Sequence, residues 1–304
     1  MKDLVIVGGG PAGLSAGIYA VRSGLDVVLY ERGAPGGAIL NTEKIENYPG
    51  FPGGIGGPEL VSRFEEHARD LGLKIETNEV FEVIPAEKHY RLRLRNGEIA
   101  TRTVLIATGT GPKPLGVEGE ERLRGRGVSY CAICDGAFFR DQTVAVIGGG
   151  DAAVEEAHFL TKFASKVYLV HRRDALRAKK AIQDRALANK KIIPLWSSVV
   201  EEIKGEDAVE EIMVKNLKTG EVKPVKVDGV FVYVGVKPNS YIVENLVETE
   251  NGFIVTDVEM MTSRPGILAA GDIRKTPLRQ VITAAADGAL AAITAEKYIS
   301  NLEN

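Results

Sequence analysis

Long hydrophobic runs, cysteine, aromatic residues and an excess of either charge are all scarce in this chain, and each scarcity excludes something. No window reaches the roughly 18 continuous apolar residues of a membrane span. The most apolar late segment, VITAAADGALAAITA, is broken by Asp287 and reads as a buried helix. The opening MKDLVIVGGG carries Asp3 near its front and ends in glycines, so it lacks the apolar stretch and cleavage site of a secretion signal. With 38 Lys and Arg against 41 Asp and Glu, a net charge of −3 offers no basic surface for nucleic acid or anionic membrane. Aromatics at 6% are too few for a base-stacking platform. Two cysteines, close in sequence, cannot build the disulfide framework of a secreted protein. A cytoplasmic location is expected, with no nucleic-acid or membrane partner.

What is present is ordinary in bulk and unusual in arrangement. Apolar residues make up 44% and charged residues 26%, the composition of a globular protein. A chain of 304 residues is long enough for two domains. It is also written twice. DLVIVGGGPAGLSAGIYAVRSGLDVVLYERG and TVAVIGGGDAAVEEAHFLTKFASKVYLVHRRD both read as strand, glycine turn, helix, strand. Gly8, Gly10 and Gly13 precede Gly148, Gly150 and Ala153 by 140 positions, and Glu31 precedes His171 by the same interval.

Each copy is followed by β-rich sequence with a turn signal, Asn96-Gly97 in the first and Thr219-Gly220 in the second. GPKPLG and GVKPNS mark chain crossings. The expected fold is therefore α/β, with two Rossmann-like dinucleotide-binding domains, each holding a parallel sheet and an antiparallel β-meander. A discontinuous first domain, 1–112 with 241–304, is expected to surround a contiguous second, 113–240.

Gly8-x-Gly10-x-x-Gly13 follows an apolar strand, opens a helix and is matched by an acid, Glu31, at the end of the next strand. Glycines let backbone approach a pyrophosphate, the helix start stabilises its charge, and the carboxylate accepts from ribose hydroxyls. A tight turn of purely structural purpose would not need that acid. The second copy has His171, Arg172 and Arg173 where the acid would be, with Arg177 one turn on. Guanidinium groups grip a 2′-phosphate that a carboxylate would repel, so this site is expected to choose NADPH over NADH. The first site, with its acid, suits the adenosine half of FAD, to which the nicotinamide delivers hydride.

VSYCAICDGAFF holds both cysteines, Cys131 and Cys134. Zinc wants four ligands, and His67, His89, His158 and His171 show no partner spacing, so no metal is expected. A structural disulfide closing so small a loop would restrict the unfolded chain little. A redox pair remains the strongest reading, since a helix start lowers a thiol pKa. Asp135 is either a proton-exchanging group or an ordinary helix-start carboxylate.

At this point the chain resembles the low-molecular-weight thioredoxin reductases of bacteria and archaea, in the FAD-dependent pyridine nucleotide-disulfide oxidoreductase family. The matching motifs run along nearly its whole length: GGGPAGLSAGIYA, ENYPGFPGGIGGPEL, ATGT, YCAICDGAFF, GGGDAAVEEA, HRRDALRA, GILAAGDI and RQVITAAADGALAA. The resemblance implies a homodimer that passes electrons from NADPH through FAD to the cysteine pair and on to thioredoxin, or to a thioredoxin- or glutaredoxin-like protein. It implies that Cys134 faces the flavin, that Cys131 attacks the partner's disulfide, and that Asp135 is the acid/base. It places Gly8, Gly10, Pro11, Ala12, Gly13, Glu31, Arg32, Gly37, Ala38, Asn47, Ala107, Thr108, Gly109, Gly271, Asp272, Arg279, Gln280 and Val281 around FAD. Gly148, Gly150, Asp151, Ala152, Ala153, His171, Arg172, Arg173 and Arg177 are placed around NADPH. It also implies rotation of the inserted domain about the two crossings.

Two motifs depart from the family pattern. Ala38 replaces a common Gln after Gly36-Gly37, and Asp151-Ala152 replaces Asn-Ser after the second glycine turn, setting a carboxylate near phosphates. Ferredoxin–NADP reductases of the same architecture lack the C-x-x-C, and reductases of peroxide systems usually carry an extra N-terminal thioredoxin-like domain, whereas this chain begins at the first glycine-turn strand. A non-catalytic redox sensor is the rival of a different class.

Overall fold

The computed structural model describes residues 1–42 and 44–303. The chain divides into two compact units, Met1–Gly111 with Lys237–Asn304, and Pro112–Val236. Among the described residues no helix is long and apolar enough to cross a membrane.

The first unit begins with β1 (Lys2–Val7), α1 (Pro11–Arg22) and β2 (Val27–Glu31), the apolar run, glycine turn and helix legible in the sequence. Pro11 occupies the first helical turn, where its missing N–H costs nothing. Next come α2 (Gly57–Asp70), β3 (Lys74–Thr77), β4 (Val80–Pro85), β5 (Tyr90–Leu94) and β6 (Gly97–Ile106). The hairpin expected at Asn96-Gly97 forms, with the turn one residue earlier. Leu94 pairs with Gly97, and only the glycine takes a positive φ, +106°.

A short strand β7 (Thr110–Pro112) leads into the second unit. There follow β8 (Val128–Ser129), α3 (Ala132–Asp135), β9 (Thr143–Gly148), α4 (Asp151–Leu160) and β10 (Lys166–Val170). Then come α5 (Lys180–Leu187), β11 (Ile192–Leu195), β12 (Ser198–Lys204), β13 (Glu211–Asn216), β14 (Val222–Lys226) and β15 (Gly229–Tyr233). The return crossing β16 (Val236–Pro238) pairs with β7. The chain ends with β17 (Thr249–Glu250), β18 (Phe253–Ile254), β19 (Ile267–Ala269) and α6 (Val281–Glu303).

The two copies solve the meander differently. In the first unit the sheet order is β3-β2-β1-β6-β5-β4, with β19 also on β6. Ten-residue β6 serves two partners on one edge, antiparallel β5 along its first half and parallel β19 along its last three residues. The meander is thus continuous with the parallel strands. In the second unit β15 has only five residues and no half to spare. Its parallel sheet, β11-β10-β9-β15-β8, is therefore separate from the antiparallel β12-β13-β14.

The parallel strands are buried on both faces, so they read as continuous apolar runs. Leu4, Ile6, Leu29 and Leu105 pack toward α1 and α6, while Val5, Val7, Val104 and Ile106 fill the opposite face. Helix α6 lies so close to α1 that a Cβ on Gly288 would stand 2.0 Å from the Ala12 carbonyl oxygen. The helix is buried along one face only. Ala291, Ala292 and Ala295 are covered, whereas Ile282 and Leu290 are exposed.

Candidate functional site

In the first unit, sequence-distant pieces converge on the start of α1. A Cβ on Gly8 would sit 2.4 Å from the Ala107 carbonyl oxygen, which ties the glycine turn to the end of β6. Gly10 faces Gly37, and Gly271 packs on the Cβ of Ala12. The Glu31 carboxylate accepts the Gly9 N–H at 2.7 Å through Oε2 and the Gly33 N–H at 3.0 Å through Oε1. That fixes its orientation while leaving a second lone pair on each oxygen. Arg32 and Ala38 are exposed beside it. Thr108 and Gly109 are held by Asn239. Its side chain donates to the Thr108 carbonyl at 2.9 Å, and its own N–H donates to that of Gly109 at 3.1 Å.

The Gly271-Asp272 turn carries the second acid. Burial pushes the Asp272 carboxyl above its ordinary range; nearby Arg279 opposes the rise and Asp287 adds to it. Arg279 lies over the Phe253 ring at 4.1 Å, and its Nε donates to the Asp272 carbonyl at 3.4 Å. Asn47 donates to the Gln280 side chain at 2.6 Å, and Val281 packs against the small core of Ile39, Ile45 and Leu60.

Arg274 and Asp287 escaped the sequence reading. They form a partly buried ion pair of 2.6 Å, and the Asp287 carboxylate also accepts the Gly271 N–H at 3.1 Å. The only signal in the sequence was the charge of Asp287 interrupting an apolar helix.

In the second unit Gly150 caps α4, and a Cβ there would meet nothing within 4 Å. A Cβ on Gly10 would find only the Gly37 Cα, at 3.9 Å. Neither helix start has a side-chain cap. Both therefore offer backbone N–H groups to open space, the environment a pyrophosphate requires. The residues fit a dinucleotide at each turn.

His171 is buried against Gly149, where a Cβ would come within 2.3 Å of the ring. Burial drives its pKa down; a hydrogen bond to the Ala175 backbone works the other way, and the charges of Arg177, Arg172 and Arg173 depress it further. Its Nε2 has no partner. All three arginines are exposed. Burial and the three arginine charges thus both disfavour the imidazolium. Asp174, between them in sequence, is turned away onto Lys218 at 3.1 Å. Ala152 and Ala153 continue α4, with Ala153 buried against Gly148.

Cys131 and Cys134 are disulfide-bonded. Cys131 caps the short helix α3, and the Cys134 N–H donates to its sulfur at 3.2 Å. Cys131 is half-buried and Cys134 exposed. Asp135 accepts the Ser129 hydroxyl at 2.7 Å, and the same hydroxyl oxygen accepts the Cys131 N–H at 3.0 Å. The Tyr233 hydroxyl, at the end of β15, accepts the Ala132 N–H at 2.9 Å. Ahead of the pair, buried Glu120 accepts from the Leu115 N–H at 2.7 Å, the Gly116 N–H at 2.6 Å and the Tyr130 hydroxyl at 2.7 Å. No sequence pattern marks Ser129, Tyr233 or Glu120.

A cavity of the second unit, 810 Å³, is lined by Thr143, Lys204, Lys226 and Asp228, among others. It lies where β9 begins, whereas ligands of parallel sheets bind where strands end.

Residues 2–288 match the family described as pyridine nucleotide-disulphide oxidoreductase. The chain belongs to this family. It is 46% identical over 303 residues to the thioredoxin reductase of Bacillus subtilis, covering 99% of this chain and 96% of that one. It is 47% identical over 307 residues to the thioredoxin reductase of Peptoclostridium litorale, covering 99% and 98%. Among solved structures it is similar to the thioredoxin reductase of Lactococcus lactis, with a TM-score of 0.96, 45% identity and coverage of 99% and 100%. That of T. acidophilum gives 0.92, 34% identity and coverage of 99% of both.

Proposed function

We propose that this chain is a thioredoxin-disulfide reductase. It takes electrons from NADPH and passes them through FAD to the Cys131–Cys134 disulfide, then to the disulfide of thioredoxin or a thioredoxin- or glutaredoxin-like protein. One observation carries the reading: the disulfide opens a helix in the unit with the arginine-bearing glycine turn, in a chain whose other unit has the acid-bearing turn. Relatives that carry the name thioredoxin reductase support the choice of acceptor.

In this reading residues 1–112 and 241–304 hold FAD, through the turn at Gly8–Gly13, Glu31 on the ribose and Asp272 on the ribityl chain. Residues 113–240 hold NADPH, with Arg172, Arg173 and Arg177 on the 2′-phosphate. Bound FAD supplies a carrier that accepts a hydride and releases two electrons to a disulfide.

The chain's own residues do the rest. Two electrons break the Cys131–Cys134 bond, and Cys131 leaves as a thiolate. The Cys134 N–H on its sulfur favours that charge. Asp135, oriented by Ser129, gives and recovers the proton of the pair. The Cys131 thiolate attacks one sulfur of the partner's disulfide and the other sulfur departs as a thiolate. Cys134 then attacks the mixed disulfide at Cys131, which restores the intramolecular bond and frees the partner as a dithiol. Two electrons and two protons have moved to the partner.

We further propose a cytoplasmic homodimer. The test is turnover: with NADPH and thioredoxin in excess, the yellow protein oxidises many equivalents of NADPH. A redox sensor would oxidise one equivalent and stop, which would overturn the enzymatic reading. Replacing Arg172 and Arg173 with Ala is expected to raise KM for NADPH far more than for NADH, and an equal effect would remove their role on the 2′-phosphate.

A further inference from the structure

The carboxylate of Asp151 stands at the first helical position of α4, where a bound pyrophosphate would also lie. An unpaired negative charge there would repel phosphate. The side chain is instead turned sideways. Its Oδ1 accepts the Lys179 N–H at 2.8 Å, and the Lys179 ammonium lies 3.7 Å from Oδ2. Lys179 ends the segment that carries all three arginines. That segment has two other ties: the Arg177 N–H donates to the Gly149 carbonyl at 2.7 Å, and the Ser197 N–H donates to the Arg173 carbonyl at 3.0 Å. Residues 172–179 are thus stitched at one end to β12's approach and at the other to the glycine turn.

We infer that Asp151 is a positioning residue for cofactor choice: by latching Lys179 to the head of α4, it holds the arginine segment at a fixed distance from the pyrophosphate turn. The physical logic is preorganisation. Three exposed guanidinium groups repel one another, and an untethered segment would splay to separate them. Holding them together before the ligand arrives removes an ordering cost from binding, and that gain applies only to a ligand with charge at the 2′ position. A nucleotide lacking the 2′-phosphate touches the glycine turn alone and gains nothing from the latch. The Lys179 ammonium offsets the negative charge that the latch brings near the pyrophosphate. The inference rests on the reading of Arg172, Arg173 and Arg177 as 2′-phosphate ligands.

Binding of two probes to the FAD-loaded protein tests it by calorimetry, independently of turnover. The probes are adenosine 2′,5′-bisphosphate and 5′-AMP. Asp151→Ala removes the acceptor and is expected to weaken the bisphosphate roughly fivefold, the effect of one partly exposed charge-assisted hydrogen bond. Its effect on 5′-AMP is expected to stay under about twofold. Asp151→Asn keeps an oxygen for the Lys179 N–H and restores most of the loss. KM is expected to follow, rising for NADPH and not for NADH in Asp151→Ala. Thermal denaturation of both variants checks that they are folded.

Equal loss for both probes in Asp151→Ala would overturn the inference, because the residue would then serve the glycine turn in general. Equal loss in Asp151→Asn would overturn it too, since charge rather than the latch would matter. If Asp151→Ala binds like the parent while Arg172→Ala/Arg173→Ala loses the bisphosphate, the latch falls and the arginine reading stands. If the arginine variant also binds like the parent, the reading beneath the inference falls.

Discussion

Glu120 illustrates how much of the redox region is held by a residue that does no chemistry. Its Oε1 accepts both the Leu115 N–H and the Tyr130 hydroxyl, and its Oε2 accepts the Gly116 N–H. The side chain is 3% exposed, so water cannot replace these partners at the carboxylate. Tyr130 precedes Cys131, and Leu115-Gly116 ends the first crossing. Glu120→Gln keeps the shape. Its amide oxygen can still serve Leu115 and Tyr130, but its NH₂ then faces the Gly116 N–H, donor against donor. Loss of one charge-assisted bond costs about 1.5–3 kcal/mol. For a unit of this size a loss of 1 kcal/mol lowers Tm by roughly 4 °C, so the transition of the second unit is expected to fall by about 6 °C or more. Differential scanning calorimetry on Glu120→Gln reads the shift, and Tyr130→Phe, which removes a different bond, separates the two by a double-mutant cycle. Unchanged unfolding of Glu120→Gln, within about 0.5 kcal/mol, would refute the assignment of that carboxylate as a three-way acceptor.

Three further outcomes follow from the geometry. Removing Arg274 strands the partly buried Asp287 charge beside Gly271, so Arg274→Ala is expected to lose up to about 3 kcal/mol of stability and to shed FAD on gel filtration; full FAD retention would contradict the pairing. Asp272 has a raised pKa in the fold, so its folded form holds the proton more tightly than the unfolded chain, and the stability it contributes is lost as pH rises through the folded value. Asp272→Asn is therefore expected to stabilise the apoprotein at neutral pH while weakening FAD binding, and a destabilised apoprotein would reverse that sign. His171 has a lowered pKa, so it stays neutral through the ordinary histidine range and its contribution to stability is present above pH 6.5 and lost as pH falls through the folded value. Proton NMR should place the imidazole midpoint below pH 6.5, and a midpoint at or above that pH would contradict burial as the controlling effect.

Much of this site could be read from the sequence because its parts are local. A glycine turn, the strand before it and the acid or arginines at the next strand end lie within about thirty residues, and the same logic recurs in both copies. The cysteine pair is four residues long. What the sequence hid is nonlocal. Tyr233 meets Ala132 across 101 positions, Thr108 meets Asn239 across 131, and Ser15 donates to the Ala285 carbonyl across 270. The first contact joins the ends of paired strands and the last joins α1 to α6, and no residue type or spacing announces any of them. Asp151 falls between the two cases. Its position at the glycine turn was plain from the motif, but its partner, the Lys179 N–H, required the fold.

The central claim is that electrons leave the flavin through the Cys131–Cys134 disulfide. Anaerobic mixing of NADPH with Cys134→Ser, followed at the flavin absorbance and with thioredoxin present, tests it most directly. The account predicts that the flavin is bleached as in the parent and that no thioredoxin disulfide is reduced. Thioredoxin reduction at the parent's rate by this variant would contradict it.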